Sequence, residues 1–285
     1  MSHSSLQIKV GMLVSYDYQY LKYSLPPVYE YADRIVLAVD KDNKTWAGND
    51  IYISGDFWQW LKDFDQKNKI EIYRDSFYEK DLTAMQCETR ERNMLAKYMG
   101  DGGWHIQLDS DEYFVDFKHF VDFLCYVDKK KKYIDTVGIE WLFIYKKTLN
   151  GYLVINETTS TTPVPLATKK PRYLVARQLA KSRTLLYPQR LIHDSWARTE
   201  QELWQKLTNW GHNCDFDTEG YFHFWKAIDE KNYMFVRNFH ITVPDYWQSL
   251  FFIKAGNIEQ LLMHIRSNED LKKQANGTTV NLQNT

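Results

Sequence analysis

Cysteine is scarce in this sequence, and long apolar runs are missing. The 285 residues include three cysteines, an odd number with no CxxC spacing, which argues against a disulfide framework or a cysteine-based zinc site and favours a reducing compartment. No apolar run reaches the about 18 residues that a membrane-spanning helix needs. The first residues, MSHSSLQIKV, also lack the apolar core of a secretory signal. We therefore predict a cytoplasmic protein, with peripheral contact to a membrane as the alternative.

An excess of one charge is also missing. Basic residues number 36 and acidic residues 37, so the formal net charge is −1, and no overall positive field points to a nucleic-acid partner. Four consecutive lysines at 129–132 are the exception, and such a run is typical of a solvated helix end. Hydrophobic residues make up 44% of the chain, which is enough to bury the core of a large domain. The composition thus predicts a globular protein that does not bind nucleic acid.

Apolar strands alternate with helical patterns in the first part of the chain. Their periodicity predicts strands at residues 6–14, 35–39, 70–72 and 104–108, and helices at 18–32 (interrupted at Pro26-Pro27), 58–64 and 82–99. Strands that alternate with helices are typical of βαβ units. We therefore predict an α/β fold with a Rossmann-like, mainly parallel sheet and helices on both faces.

Paired aspartates occur at several points, but few of them follow a strand. The pattern DxD occurs at Asp40/Asp42, Asp63/Asp65, Asp109/Asp111 and Asp215/Asp217. Only the pairs that begin at Asp40 and Asp109 end predicted buried strands. In parallel sheets, ligands bind beyond the carboxyl ends of the strands, where the polar stretch 15–17 is also expected. The sequence therefore directs attention to one edge of one sheet.

The pair Asp109/Asp111 is the strongest candidate for a metal site. Carboxylates two residues apart at a strand end can reach one small volume, and Mg²⁺ or Mn²⁺ takes oxygen ligands from carboxylates, phosphates and water. A cation there would neutralise charge on a leaving diphosphate. Glu112 adds a third acidic group next to the pair. The alternative is a capped turn after a strand.

Three stretches resemble the family 2 glycosyltransferases of the GT-A fold. They are LQIKVGMLVSYDYQ, RIVLAVDKDNKT and ETRERNMLAKYMGDGGWHIQLDSDEYF, and the resemblance covers roughly residues 6–115 well and the remainder loosely. It implies a GT-A-type three-layer sandwich and a metal-dependent, inverting glycosyltransferase of the hexosyltransferase type. It further implies a nucleotide-sugar donor, most often a UDP-sugar, a saccharide or lipid-linked (glycolipid) acceptor, and Mn²⁺ or Mg²⁺ as cofactor.

The resemblance also implies roles for individual residues. Asp40 would accept a hydrogen bond from a pyrimidine, although the family often has Asp-Asp-Gly-Ser where this chain has Asp40-Lys41-Asp42-Asn43. Arg92 would orient Asp109 or a phosphate. In all, it assigns nucleotide-sugar contacts to Ser15, Tyr16, Asp17, Asp40, Arg92, Asp109 and Ser110, and metal ligands to Asp109, Asp111 and His193.

An inverting enzyme needs a base for the acceptor hydroxyl. The stretch QRLIHD resembles the region where the family places one, so Asp194 is the candidate base, with Glu140 as its rival. Trp141 beside Glu140 could stack on a sugar, although a Trp in a strand is more often core. Three other histidines, His212, His223 and His240, are too widely spaced for a metal triad, and we expect each to make a local hydrogen bond.

We predict one catalytic domain over residues 1–245, with a nucleotide-binding half at about 6–115 and an acceptor half at about 116–245. A strand is expected at 137–145, a second within 185–192, a loop at 157–171 and a helix at 200–207. A helical segment at 246–267 and a polar tail at 268–285 would follow. The aromatic stretch 246–253 is where a membrane contact would lie, with a packed helix as the alternative.

Other classes fit less well. A nucleotidyltransferase should show a Gly-rich phosphate loop near the first strand, and SYDYQY has no glycine. A phosphatase of the haloacid-dehalogenase type has its DxD near the start of the fold, whereas about 100 residues precede Asp109 here. A non-catalytic, transferase-like protein that binds carbohydrate remains as an alternative that would keep the aromatic residues.

Overall fold

The computed structural model describes residues 6–157 and 163–275. In this part of the chain the strands are β1 (Ile8–Val14), β2 (Arg34–Asp40), β3 (Ile70–Asp75), β4 (Trp104–Asp109), β5 (Glu112–Tyr113), β6 (Thr136–Ile139), β7 (Trp141–Lys147), β8 (Gly151–Glu157), β9 (Val164–Thr168), β10 (Tyr173–Val175), β11 (Gln178–Leu179), β12 (Thr184–Leu186), β13 (Leu191–His193) and β14 (Trp247–Lys254). The helices are α1 (Leu21–Tyr29), α2 (Gly55–Phe64), α3 (Ala84–Met99), α4 (Phe117–Lys130), α5 (Glu200–Asn209), α6 (Thr218–Ala227) and α7 (Ile258–Ala275). Within these ranges no helix is long and apolar enough to cross a membrane.

The central sheet has seven strands in the order β12-β6-β9-β4-β1-β2-β3. β1 pairs in parallel with both β2 and β4, and β2 pairs in parallel with β3. Only β9 runs antiparallel, between β4 and β6. The three strands that carry the predicted strand-end residues, β1, β2 and β4, thus point the same way, as the alternating sequence pattern predicted.

Helices cover both faces of this sheet. On one face the buried side chains of β1 and β2 pack with those of α1, α2 and α4. On the other face α3 packs its residues Leu95 and Met99 against Leu13 and Val36. A Cβ at Gly11 would lie 2.7 Å from the sulfur of Met99, so glycine there lets α3 approach β1 closely. The predicted Rossmann-like α/β sandwich of the GT-A type is confirmed.

A second sheet meets the first one at the DxD segment. Its order is β14-β8-β7-β13-β5, and β5 begins only three residues after β4 ends at Asp109. β13 pairs antiparallel with β5 and parallel with β7. The chain therefore leaves one sheet and joins the other across Ser110 and Asp111.

Several local predictions are wrong, and packing explains each of them. Pro26 and Pro27 lie inside α1 without interrupting it, because Leu21, Leu25 and Val28 bury one face of this short helix. Part of the predicted loop 157–171 is β9, which fills the gap between β4 and β6; residues 158–162 fall outside the described part of the chain.

The C-terminal segment also differs from its prediction. Residues 247–254 form β14 instead of a helix, and they pair along their whole length with β8. Trp247, Leu250 and Ile253 are buried, whereas Phe251 is exposed. The predicted polar tail from residue 268 begins as helix, since α7 continues to Ala275.

Candidate active site

A cavity of about 900 Å³ lies where the two sheets meet. One of its sides carries charged side chains and the other carries aromatic rings. We define the charged wall as Asp17, Arg92, Asp109, Asp111, Arg177 and Lys206. We define the aromatic wall as Trp141, Phe143, Trp210, Tyr246 and Trp247.

Asp111 is the most enclosed acid of the charged wall. Only 1% of it is exposed, and its Oδ2 atom pairs with the Arg198 guanidinium and with Lys206 Nζ at 3.0 Å. Its Oδ1 atom lies 3.3 Å from Nε2 of His193. Burial alone would raise the pKa of Asp111, but the groups Lys206, His193 and Arg198 outweigh it and hold the pKa well below its usual value.

The start of α5 explains how its two cations reach Asp111. Thr199 and Glu202 form a reciprocal capping box that begins the helix. Arg198 directly precedes this cap, and Lys206 follows it about two turns later. The sequence contains this signal in TEQE, but nothing local shows that the helix packs against Asp111.

Asp109 is held from two sides by arginines. Arg92 Nη2 donates to its Oδ1 atom at 2.8 Å, and Arg177 Nη2 lies 3.0 Å from its Oδ2 atom. Arg92 also pairs with Glu88, one turn earlier on α3, at 2.9 Å. The structure thus places Arg92 against Asp109, where the resemblance would put it.

Arg177 is a site residue that sequence reasoning missed. It lies at the turn of the β10-β11 hairpin, is 5% exposed, and donates to Glu112 Oε2 at 2.6 Å. Asn93 holds the hairpin on α3 through the backbone of Tyr173. The partners of Arg177 are more than 60 residues away in sequence, so no local pattern could have revealed it.

One group of side chains has the geometry of a metal site. Single ligand atoms of Asp109, Glu112 and His193 all lie within 4.8 Å of one another. Two carboxylates and an imidazole fit Mn²⁺ or Mg²⁺ by the chemistry of the donors, and Nδ1 of His193 is buried without a partner among the described residues. Asp109 and His193 belong to the predicted ligand set. Glu112, which was not among the predicted ligands, is the third member of this group. Asp111, which was predicted as a ligand, is not a member and pairs with Arg198 and Lys206.

The end of β1 contributes to the cavity as predicted. Ser15, Tyr16 and Asp17 line it, and Asp17 Oδ2 lies 3.6 Å from Arg198. Burial raises the pKa of Asp17 to about 6. Ser110 also lines the cavity, but its hydroxyl donates to the carbonyl of Leu13 at 2.9 Å and so ties β4 to β1.

Asp40 has a different role from the predicted one. Its Oδ1 atom accepts the backbone amides of Asp42 and Lys44, and its Oδ2 atom accepts that of Phe77 at 2.8 Å. It is buried and does not line the cavity. Backbone amides saturate this carboxylate, so Asp40 organises the turn after β2 instead of contacting a base.

The other DxD pairs also have local partners. Asp65 accepts the amides of Lys69 and Ile70 after α2. Asp217 caps the start of α6, and Asp215 pairs with His212. The pair at Asp109 is therefore the one whose two carboxylates both line the cavity.

Both predicted catalytic bases lie off the cavity wall. Asp194 is buried behind the wall, where it accepts a hydrogen bond from the Tyr113 hydroxyl at 3.2 Å, and burial raises its pKa to about 7. Glu140 lies at the surface, 3.6 Å from Arg190. Neither side chain lines the cavity, because the chain turns Asp194 inward at the end of β13.

Two histidines complete the cavity beside the aromatic wall. His212 and His240 both line it, and each makes the local hydrogen bond that the sequence predicted. His212 Nδ1 lies 2.6 Å from Asp215 Oδ2. His240 Nδ1 accepts the amides of Thr242 and Val243.

Comparison with known proteins gives little beyond this geometry. No known family model and no curated protein sequence matches the chain. Among solved structures, it is similar to residues 1–349 of S. aureus TarS, with 10% identity and a TM-score of 0.41 over 75% of this chain and 68% of that one. It is also similar to mannose-1-phosphate geranyltransferase from Thermus thermophilus, with 11% identity and a TM-score of 0.25 over 58% of this chain and 50% of that one. Similarities this weak carry no functional argument, so the function must be argued from the cavity.

Proposed function

We propose that this protein is a metal-dependent glycosyltransferase that moves a sugar from a nucleotide-sugar donor to a saccharide-containing acceptor. The observation that carries the proposal is the shared cavity. It joins a cluster of Asp109, Glu112 and His193, at the carboxyl end of a parallel sheet, to an aromatic wall on a second sheet. A phosphate-binding end and a sugar-binding end in one cavity are what such a transfer requires.

The charged wall supplies the donor end. Residues 15–17 would contact the nucleoside, and Arg92, Arg177 and Lys206 offer donors for a diphosphate. A divalent cation would be held by Asp109, Glu112 and His193, where it would neutralise charge on the leaving diphosphate. The resemblance favours UDP as the nucleotide.

The aromatic wall supplies the acceptor end. Aromatic rings present flat apolar faces, and the ring edges of a saccharide pack against such faces while polar groups fix their orientation. Trp210 and Trp247 stand beside His212 and His240, with ring centroids 4.7 and 4.5 Å apart respectively. A saccharide acceptor is therefore the class that this wall fits.

Thermal unfolding with a nucleotide panel tests the proposal. UDP, GDP, ADP, CDP and two UDP-sugars would each be added with and without Mn²⁺. We expect UDP with Mn²⁺ to raise the melting temperature, by the equivalent of about 2.7 kcal/mol when the ligand is at 100 times its Kd. Asp109→Asn should remove the Mn²⁺-dependent part of the shift.

Asp63→Asn is the matched control, because Asp63 belongs to another DxD pair, is exposed and does not line the cavity. It should leave the shift unchanged. No shift with any nucleoside diphosphate plus Mn²⁺ would contradict the proposal. Stabilisation by oligosaccharides alone would support the non-catalytic, carbohydrate-binding alternative instead.

A further inference from the structure

The base for the acceptor hydroxyl is unassigned once Asp194 and Glu140 are found off the cavity wall. This question rests on the proposed function, since only a transfer reaction needs such a base. The base must line the cavity near the acceptor end and must be able to take up a proton. His212 meets both conditions.

The hydrogen bond from His212 to Asp215 fixes which ring nitrogen carries the proton. Asp215 Oδ2 lies 2.6 Å from Nδ1 of His212, and a carboxylate can only accept, so Nδ1 donates. The neutral ring then has an unprotonated Nε2 atom. A histidine that is oriented by a carboxylate and has one free nitrogen is the arrangement of a general base.

The backbone around His212 is held in place by packing. A Cβ at Gly211 would lie 2.8 Å from Glu88 Oε2, so this segment packs closely against α3. Asn209 Oδ1 accepts a hydrogen bond from Thr45 at 2.6 Å, which anchors the end of α5. The ring of His212 packs edge-on against Trp210. His212 is thus fixed on the aromatic wall, next to α3 of the donor end.

His240 has the opposite arrangement. Its Nδ1 atom accepts two backbone amides, so the proton of the neutral ring is on Nε2. Burial and the neighbouring His212 lower the pKa of His240 to about 4, which keeps the ring neutral. Of the two imidazoles that line the cavity here, one is arranged to accept a proton and the other to donate a hydrogen bond.

The acids of the cavity are poor alternatives. Glu88, Asp109 and Asp111 face arginine or lysine groups, which stabilise their charged forms and weaken them as bases. Asp17 belongs to the stretch 15–17, which the proposed function assigns to the donor end of the cavity and not to the acceptor end. Glu91 accepts the Trp46 indole N–H at 2.6 Å. Burial raises the pKa of Glu91 to about 8, so it is already protonated at neutral pH.

We propose that His212, oriented by Asp215, is the general base of the transfer. The acceptor hydroxyl gives its proton to His212 Nε2 while its oxygen forms a bond to the anomeric carbon of the donor sugar. The bond from that carbon to the diphosphate oxygen breaks, and its electron pair leaves with the diphosphate. Asp215 is a positioning residue, and it stabilises the imidazolium that forms.

The tautomer of His212 tests the proposal without any substrate. In the full chain labelled with ¹⁵N-histidine, long-range ¹H–¹⁵N spectra distinguish the two neutral tautomers, and H212Q assigns the signal. We expect the Nδ1–H form in the wild-type protein and a mixture of both forms in D215N. An Nε2–H form in the wild-type protein would overturn the proposal.

Turnover separates the role of His212 from donor binding. UDP release from UDP-glucose, UDP-galactose and UDP-N-acetylglucosamine would be measured with Mn²⁺ and a panel of p-nitrophenyl glycosides as acceptors. We expect H212Q to lower kcat on the order of 10²- to 10⁴-fold, with the Kd for UDP unchanged, and D215N to lower it less. H223Q is the matched control, because His223 also lies near a carboxylate, that of Glu219 at 3.9 Å, but off the cavity.

The outcomes distinguish this proposal from the proposed function. Absence of UDP binding in the wild-type protein would contradict the proposed function itself. Retained binding together with undiminished turnover in H212Q would overturn only the role of His212. A loss of Mn²⁺ affinity in H212Q would make His212 a metal ligand, and that too would overturn its role as base.

Discussion

The charged wall and the aromatic wall face the same cavity but are stabilised in opposite ways. Every acid of the charged wall is already paired: Asp109 with two arginines, and Asp111 with Arg198 and Lys206. The rings of the aromatic wall pack against one another, as in the contact of Phe143 with Trp247, whose centroids are 5.7 Å apart. A ligand at the charged wall must therefore compete with internal partners, whereas a ligand at the aromatic wall needs only to cover apolar surface.

Removing the charge of Asp111 should have the largest effect on stability. Asp111→Asn leaves Lys206 buried without its counter-charge and leaves Arg198 with the more distant Asp17, and breaking such a buried pair costs about 3–5 kcal/mol. Urea denaturation of the apo protein measures the loss. Asp122→Asn is the control, because its pair with Lys118 is exposed and should contribute little to stability. Equal effects of the two substitutions would mean that the charged wall is not a stabilising network.

A substitution of Trp196, a buried residue that lines the cavity beside the aromatic wall, should separate stability from donor binding. Trp196 is 2% exposed and contacts Trp210, Tyr221 and Trp247. Trp196→Leu should destabilise the protein by about 2–3 kcal/mol through the cavity that it leaves. The UDP-induced shift in melting temperature should persist. Loss of that shift would show that the two walls are not independent.

Arg177 should compete with a divalent cation for the same oxygens. Its guanidinium contacts both Asp109 and Glu112, two of the three residues in the metal-binding geometry. Arg177→Gln should therefore raise Mn²⁺ affinity about tenfold, or about 1.4 kcal/mol, as measured by titration calorimetry. Arg183→Gln, six residues further along the chain and off the cavity wall, should leave the Mn²⁺ affinity unchanged. A weaker affinity in Arg177→Gln would mean that the arginine supports the metal site.

Glu91 should give the smallest effect, one that depends on pH. Burial raises the pKa of Glu91 in the folded state to about 8, whereas an unfolded glutamate has a pKa of about 4.3. The stability that the protonated Glu91 contributes is therefore complete below about pH 4.3 and is lost as the pH rises toward 8. At pH 8 the Glu91→Gln protein should therefore have a higher melting temperature than the wild-type protein, by about 2–4 °C for each kcal/mol of unfolding free energy gained. The difference in melting temperature should be smaller at pH 5. Glu79→Gln, at an exposed position, should show no such trend.

The sequence predicts the charged side of the site far better than the aromatic side. The strand ends at residues 15–17 and Asp109 follow from apolar periodicity alone, because the parallel sheet is assembled from local βαβ units. Apolar periodicity does not, however, predict what a particular carboxylate at a strand end contacts. Asp40 and Asp109 have the same pattern, but four backbone amides surround one of them and two arginines surround the other.

The aromatic side depends on contacts that span the chain. β14 pairs with β8 about 90 residues away, and its aromatic sequence fits a helix or a strand equally well until that pairing exists. Arg177 likewise depends on its distant partners Asp109 and Glu112, and the segment that carries His212 packs against Glu88 of α3. The resemblance of QRLIHD indicates Asp194 as the base, but the side chain of Asp194 accepts a hydrogen bond from Tyr113 on β5, which is 81 residues away in sequence.

The three-residue passage from Asp109 to Glu112 has a mechanical consequence. Three residues span at most about 11 Å even when fully extended, so the two sheets cannot slide apart by more than this short tether allows. In the proposed transfer, the length of this connection would limit the distance between the leaving diphosphate and the incoming hydroxyl. Inserting a single residue between Asp109 and Glu112 would lengthen this connection, and in the proposed transfer it would increase the distance between donor and acceptor.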